Sequence, residues 1–165
     1  HFFTKRYPLA LVAGLALDVS GTLSILDFGG GMGLQYLELL EKIPDVRRSI
    51  RFFIVEGGKV IENLPTKIKT FSNLFFYSDL NVLKEPMDII HIGSTLQYIE
   101  DWQELLSLLI EKYTPKYFVF SDLLAGNIST FATSQIYYDK KIPSWFFSFS
   151  DVLNRYLFLA EKNFG

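Results

Sequence analysis

The chain alternates continuous apolar runs with segments whose apolar residues recur every three or four positions. The first helical segment ends near Ser20, and its apolar positions are Leu9, Val12, Ala13, Ala16 and Val19. The predicted strands are Leu23–Phe28, Arg51–Val55, Leu74–Tyr77, Asp88–Ile92 and Tyr117–Phe120. Apolar strands that alternate with helices across short connections are typical of a parallel sheet covered on both faces. The pattern therefore predicts an α/β fold.

The last third of the chain is harder to interpret. Asp101, with Glu104 three residues on, predicts a capped helix, and Ser150 is the expected N-cap of a final helix over Asp151–Asn163. Residues 124–149 show no clean period and are rich in aromatic side chains. Within them, the aromatic segment Phe131–Phe149 is either a flap that completes the core or a lid over substrate. If this segment is a lid, its side chains could stack on a sugar or aromatic acceptor, and the candidates are Tyr137, Tyr138 and Trp145.

Composition narrows the classes of protein. With 165 residues, 49% hydrophobic and 21% charged, the chain fits one folded domain spanning residues 1–165. The longest apolar run, Pro8–Leu17, is too short to span a membrane. The chain has no cysteine, which excludes disulfides and thiolate zinc sites and favours a cytoplasmic location. The net charge of −2, without a basic stripe, argues against nucleic acid as a partner.

The most informative segment joins the first strand to the second helix and reads Asp27-Phe-Gly-Gly-Gly-Met-Gly33. A strand, a glycine turn and a helix N-terminus together typically hold a cofactor, because the ligand can approach the bare main chain. The dinucleotide pattern fails, since Leu34 or Met32 stands where a glycine is required. The alternating glycines after an acid suit a cationic amino-acid ligand better than a pyrophosphate.

This segment resembles the first motif of class I S-adenosylmethionine (SAM)-dependent methyltransferases. More narrowly, the chain is similar to a family of bacterial methyltransferases associated with surface-polysaccharide gene clusters. The resemblance implies a Rossmann-like doubly wound sheet in the order 3-2-1-4-5, SAM as the cofactor and a small-molecule or saccharide-linked methyl acceptor. It assigns the loop to cofactor binding through Asp27, Gly29, Gly30, Gly31 and Gly33.

Acids after the next two strands extend the cofactor assignment. Glu56 follows the second strand 23 residues after Gly33, near the usual place for a carboxylate that accepts from ribose hydroxyls. Asp79 follows the third strand, where the resemblance implies a hydrogen bond to the adenine amino group, with Leu80 packed on the ring. We assign Ser94, after the fourth strand, to the same pocket.

Many small-molecule members of the class carry a His-His pair after the fourth strand, where this sequence has Gln97-Tyr98. Neither residue is a strong base at neutral pH. We therefore expect them to orient the acceptor, with any base coming from the C-terminal part. His91 lies within the apolar fourth strand and is interpreted as a core histidine with a hydrogen-bonded ring. No other metal-ligating residue stands at a suitable spacing from it in the sequence, so no metal is expected.

The full class I fold has seven strands, and this sequence accounts for five. The last two are therefore expected to be absent, which would leave the fold incomplete at its C-terminal end. The open edge of the fifth strand then predicts association with a second copy or reduced stability. Two other functions stay open beside methyl transfer. One is a non-catalytic module that binds SAM or a nucleotide; the other is a nucleotide-cofactor oxidoreductase, which the glycine spacing disfavours.

Overall fold

The computed structural model describes residues 8–137 and 139–164. They form two compact units. Among the described residues, the first unit takes in those up to Gly93 together with Pro115–Ser121, and the second takes Ser94–Thr114 and those from Asp122 on. The single domain expected from the sequence stays a prediction.

The first unit is built on a five-stranded parallel sheet. Its strands are β1 (Leu23–Phe28), β2 (Ile50–Val55), β3 (Leu74–Tyr77), β4 (Ile89–Gly93) and β5 (Tyr117–Ser121). Their order across the sheet is β3-β2-β1-β4-β5. This arrangement confirms the α/β, Rossmann-like fold class and the strand order expected from the sequence.

Four helices belong to the same unit: α1 (Pro8–Ser20), α2 (Leu34–Lys42), α3 (Val46–Ser49) and α4 (Gly58–Glu62). Leu9 and Ala13 of α1 are fully buried in one core with Ile25 and Ile89 of the sheet. The opening helix is thus confirmed, but the buried face predicted for it included one residue too many, Val19. Val19 is 87% exposed, because the face that packs on the sheet stops at Ala16.

Asn73, just before β3, is a buried polar residue that joins three parts of the first unit. Its Oδ1 accepts from the Tyr36 hydroxyl at 2.6 Å, and its Nδ2 donates to the carbonyl oxygens of Ile50 at 2.7 Å and Val46 at 3.3 Å. Buried polar groups are costly unless they are hydrogen-bonded. The Asn73 side-chain amide therefore provides hydrogen-bond partners for polar groups of α2, α3 and β2.

We predict that Asn73→Ala lowers the free energy of unfolding by about 1–3 kcal/mol, because it leaves the Tyr36 hydroxyl and the two carbonyls without their partner. Urea unfolding measures the change, and Asn81→Ala, at an exposed position, is the control expected within about 0.5 kcal/mol of the unmodified protein. Equal stability of the two variants would contradict this account of Asn73.

The second unit combines helices and a small sheet. It contains α5 (Trp102–Tyr113), β6 (Ala125–Gly126), β7 (Phe131–Tyr137), β8 (Lys140–Ser148) and α6 (Phe149–Phe164). β8 lies between β6, which is parallel to it, and β7, which is antiparallel. Phe147 of β8 is fully buried, with its ring edge-on to Trp102 at 5.1 Å between centroids. Arg155 of α6 donates a hydrogen bond to Ser107 of α5.

Several expectations for this part of the sequence were wrong. Residues 124–149, expected to be irregular, contain a hairpin, and residues for further strands were therefore available. These strands form a separate sheet, so the five-stranded sheet gains no neighbour from them. Ser150 lies inside α6 and is not its N-cap, and Asp101 makes no side-chain capping bond to α5.

Aromatic side chains of the hairpin differ in burial. Phe131 is 48% exposed and stacks on Phe146 with 5.2 Å between ring centroids, whereas Phe147 is buried. Of the three residues expected to stack on a ligand, Trp145 is half-buried. Tyr138 and the side chain of Tyr137 lie outside the described residues. Whether this segment acts as flap or lid stays a prediction.

Among residues 8–137 and 139–164, no helix is long and apolar enough to cross a membrane.

Two buried tyrosines predict a loss of stability at alkaline pH. Burial raises the pKa of Tyr113 to about 12 and also raises the pKa of Tyr36, where the Asn73 hydrogen bond and Arg47 oppose the shift. Below pH 10 both tyrosines stay protonated in the folded and unfolded states. Above pH 10 the unfolded state loses these protons first, so the free energy of unfolding falls as pH rises toward 12.

Urea unfolding between pH 8 and pH 11 measures this decline. Tyr113→Phe is expected to lower stability at pH 8 little and to flatten the decline above pH 10, since it removes one of the two titrating groups. A decline of the same steepness in the variant would contradict the assignment.

Candidate functional site

The glycine loop follows β1 at the carboxyl edge of the five-stranded sheet. Asp27, near the end of β1, is only 1% exposed. A Cβ built on Gly30 would lie 2.4 Å from Oδ2 of Asp27, closer than real Cβ contacts come. The bare main chain at Gly30 is therefore what lets the loop pass directly beside the carboxylate.

The loop then turns into α2. Gly33 has φ of +87°, a left-handed conformation that glycine adopts without strain, and it precedes the first residue of the helix. As the N-cap residue it offers no side chain to the N–H groups of the first turn. The N–H groups of the first turn of α2 thus receive no side-chain cap from Gly33, which is compatible with the cofactor site that the glycine pattern predicts.

Glu56 ties the loop to the neighbouring strand. It directly follows β2, and its Oε2 accepts from the main-chain N–H of Gly31 at 2.9 Å, while its Oε1 accepts from that of Gly57 at 2.7 Å. Each carboxylate oxygen can accept a second hydrogen bond. Glu56 can therefore hold the loop and still accept from the hydroxyls of a ligand.

The third predicted pair follows β3 at the same edge. Asp79 is exposed, and its Oδ1 accepts from the main-chain N–H of Asn81 at 2.8 Å. Leu80 is 9% exposed, so most of its side chain is already packed. The first unit thus places Asp27 beside Gly30, bonds Glu56 to Gly31, and places Asp79 and Leu80 after the next strand.

A series of hydrogen bonds that the sequence analysis missed begins at Asp27. Its Oδ1 lies 2.7 Å from Nδ1 of His91 on β4, and Nε2 of that ring lies 2.8 Å from Oγ of Ser121 on β5. Asp27 and His91 are paired in register across neighbouring parallel strands, which explains why they meet. The interpretation of His91 as a hydrogen-bonded core histidine is confirmed, since it is fully buried.

A signal for this series was present in the sequence. Asp27 and His91 each interrupt an otherwise apolar buried strand, and two such polar residues on neighbouring strands have to satisfy one another. The second carboxylate oxygen of Asp27 takes no part in this series: Oδ2 is buried and has no hydrogen-bond partner among the residues that the structure describes. This oxygen faces the main chain of Gly30.

The remaining predicted site residues belong to the second unit. Ser94 directly follows β4, is exposed and has φ of +51°. Gln97 is 4% exposed, and its Oε1 is buried without a hydrogen-bond partner in the described part of the sequence. Tyr98 is 43% exposed, with its hydroxyl 3.5 Å from Oε1 of Gln135. Gln97 and Tyr98 therefore differ in burial although they are neighbours.

Comparison with known proteins identifies the fold. No protein-family model matches the chain, and no curated protein matches it. Solved structures do match. The N-terminal domain of EvdMO1 with S-adenosylhomocysteine (SAH) bound superposes with a TM-score of 0.61 and 11% identity, covering 94% of this chain and 71% of that one.

Two further structures agree. A protein from Listeria monocytogenes assigned to the SAM-dependent methyltransferases has a TM-score of 0.59 and 11% identity, covering 90% of this chain and 84% of that one. PigF, solved with SAH, has a TM-score of 0.59 and 17% identity; the match covers 92% of this chain and 48% of PigF. The chain thus has the fold of class I SAM-dependent methyltransferases.

We predict that Gly30→Ala lowers the free energy of unfolding by about 1–3 kcal/mol, because the added methyl group forces either the loop or Asp27 to move. Gly58→Ala is the matched control: it has open space around it and lies in the first turn of α4, so it is expected to keep or raise stability. Thermal unfolding compares the two, and equal melting temperatures would contradict the close approach at Gly30.

Proposed function

We propose that this protein binds SAM and transfers its methyl group to a small-molecule or saccharide-linked acceptor. The observation that carries the proposal is the unpartnered Oδ2 of Asp27, buried beside the bare main chain of Gly30 at the carboxyl end of β1. A buried carboxylate oxygen of this kind suits a cationic ligand. In an open α/β sheet, ligands bind at this carboxyl edge.

The cofactor assignments fit the residues present. Asp27 Oδ2 would accept from the ammonium group of SAM, and the main chain of residues 29–33 would lie against its amino-acid portion. Glu56 would accept from the ribose hydroxyls with the lone pairs that its two main-chain bonds leave unused. Asp79 and Leu80 would hold the adenine, and Ser94, directly after β4, is assigned to cofactor binding as well. When bound, SAM supplies an activated methyl group, so the protein mainly positions the reactants.

Acceptor binding is assigned to Gln97 and Tyr98. The buried Oε1 of Gln97, unpartnered among the described residues, can accept from a donor group of the acceptor. The exposed Tyr98 can contact the acceptor directly. We extend the proposal to a bacterial origin and a link to surface polysaccharides on the resemblance described above, and to a cytoplasmic location because the sequence has no cysteine.

A non-catalytic cofactor-binding module is the second candidate, because Gln97-Tyr98 stands where many small-molecule methyltransferases carry a histidine pair. A methyl-transfer assay with labelled SAM over free sugars and small phenols separates the two. Transfer to an acceptor supports the enzyme, whereas tight SAH binding without transfer to any acceptor supports the module.

Calorimetric titration with SAH, NAD and ATP tests the cofactor. We expect SAH to bind and the other two not to. Glu56→Ala is expected to weaken SAH binding about 10–100-fold, since it removes a charged acceptor of about 1.5–3 kcal/mol and releases Gly31. Glu62→Ala, at an exposed position of α4, is the control expected to bind as the unmodified protein does. Binding of NAD in place of SAH would overturn the proposal.

A further inference from the structure

The series of hydrogen bonds from Asp27 through His91 to Ser121 has the composition of a proton relay. We propose that Ser121 is the hydroxyl that takes the proton of the methyl acceptor and passes its own to His91, which makes a hydroxyl compound the acceptor class. The inference rests on the proposed function and deepens it, because no base was assigned there.

The heavy-atom geometry serves both protonation states of His91. In the neutral ring, Nδ1–H donates to Asp27, and Nε2 accepts from the Ser121 hydroxyl over 2.8 Å. In the imidazolium, both nitrogens donate, and Oγ of Ser121 accepts, because a hydroxyl can rotate between the two roles. A proton can therefore move along the relay when the Ser121 hydroxyl rotates, without displacement of the heavy atoms.

The buried environment of Asp27 and His91 favours a proton that comes to rest on His91. Asp27 and His91 are each no more than 1% exposed, so an imidazolium formed there faces a carboxylate at 2.7 Å with little water to compete. Ser121 is partly exposed and is the last residue of β5. The relay thus runs from a partly exposed serine at the carboxyl edge of the sheet to the buried Asp27 and His91.

Gly93 leaves room for the outer bond of the relay. A Cβ at Gly93 would lie 2.8 Å from Cε1 of His91 and 2.9 Å from Oγ of Ser121. Both distances are below real Cβ contacts, so any larger residue would push the serine and the imidazole apart. The strand pairing places Gly93 opposite Ser121. The relay therefore depends on a residue without a side chain at this position.

The reaction accounts for every proton and electron pair. The acceptor hydroxyl gives its proton to Oγ of Ser121 as the serine's own proton passes to Nε2 of His91. Net, the acceptor oxygen gains the methyl group, the sulfur keeps the electron pair of the broken C–S bond, and His91 holds the proton. A neutral amine needs no such relay, because its lone pair can accept the methyl group before a proton leaves.

Nitrogen NMR tests the relay without turnover. The sequence has two histidines, His1 and His91, so the buried ring is assigned by comparison with His91→Asn. We expect Nδ1 protonated and Nε2 unprotonated at neutral pH, with Ser121→Ala shifting Nε2 and leaving Nδ1 in place. Ser24→Ala, on the other end of β1 from Asp27, is the control expected to shift neither. A protonated Nε2 at neutral pH, or one that ignores Ser121→Ala, would overturn the proposal.

Methyl transfer from SAM to a free sugar tests the chemical role. Ser121→Ala is expected to lower kcat about 10²-fold or more while SAH binds as tightly as before, and Ser121→Thr, which keeps the hydroxyl, is expected to recover most of the loss. Unchanged kcat in Ser121→Ala, or transfer by the unmodified protein to amines and not to hydroxyls, would overturn the relay and leave the proposed function standing. Failure of the unmodified protein to bind SAH would instead count against the proposed function.

Discussion

The carboxylate of Asp27 is the constraint on which the site depends. A charge that is 1% exposed has to be paired, and His91 supplies the partner from the neighbouring strand. Removing one member of such a buried pair typically costs about 3–5 kcal/mol. The pair in turn requires small neighbours, because side chains at Gly30 or Gly93 would collide with Asp27, His91 or Ser121. Two glycines far apart in sequence are thus explained by one series of hydrogen bonds, from Asp27 through His91 to Ser121.

The same carboxylate connects two parts of the proposed chemistry. Oδ1 faces inward to His91, and Oδ2 faces the glycine loop. In the proposed account, one oxygen therefore serves the cofactor while the other steadies the proton that the acceptor releases. The proton that the acceptor releases would then lie beside a carboxylate, which favours the imidazolium more than an apolar environment would.

The strand order and the glycine loop could be predicted because they leave local signals: apolar runs of strand length and glycines directly after Asp27. The Asp27–His91–Ser121 relay left a weaker signal, since it depends on register between strands that are far apart in sequence. The hairpin of β7 and β8 was missed because it exposes apolar side chains, as at Phe131 and Ile136, so the sequence shows no alternation between a buried and an exposed face. Asp101 does precede α5 as predicted, although its side chain makes no capping hydrogen bond, whereas Ser150 lies inside α6 because residue type alone does not determine where a helix begins.

Backbone NMR during a titration with SAH tests the central claim most directly, because it locates the ligand residue by residue. The account predicts saturable shifts of the amides of residues 29–33 and of Glu56, with the Gly31 amide among the largest because its bond to Glu56 lies in the site. Shifts that avoid these residues, or an unchanged spectrum at millimolar SAH, would contradict it.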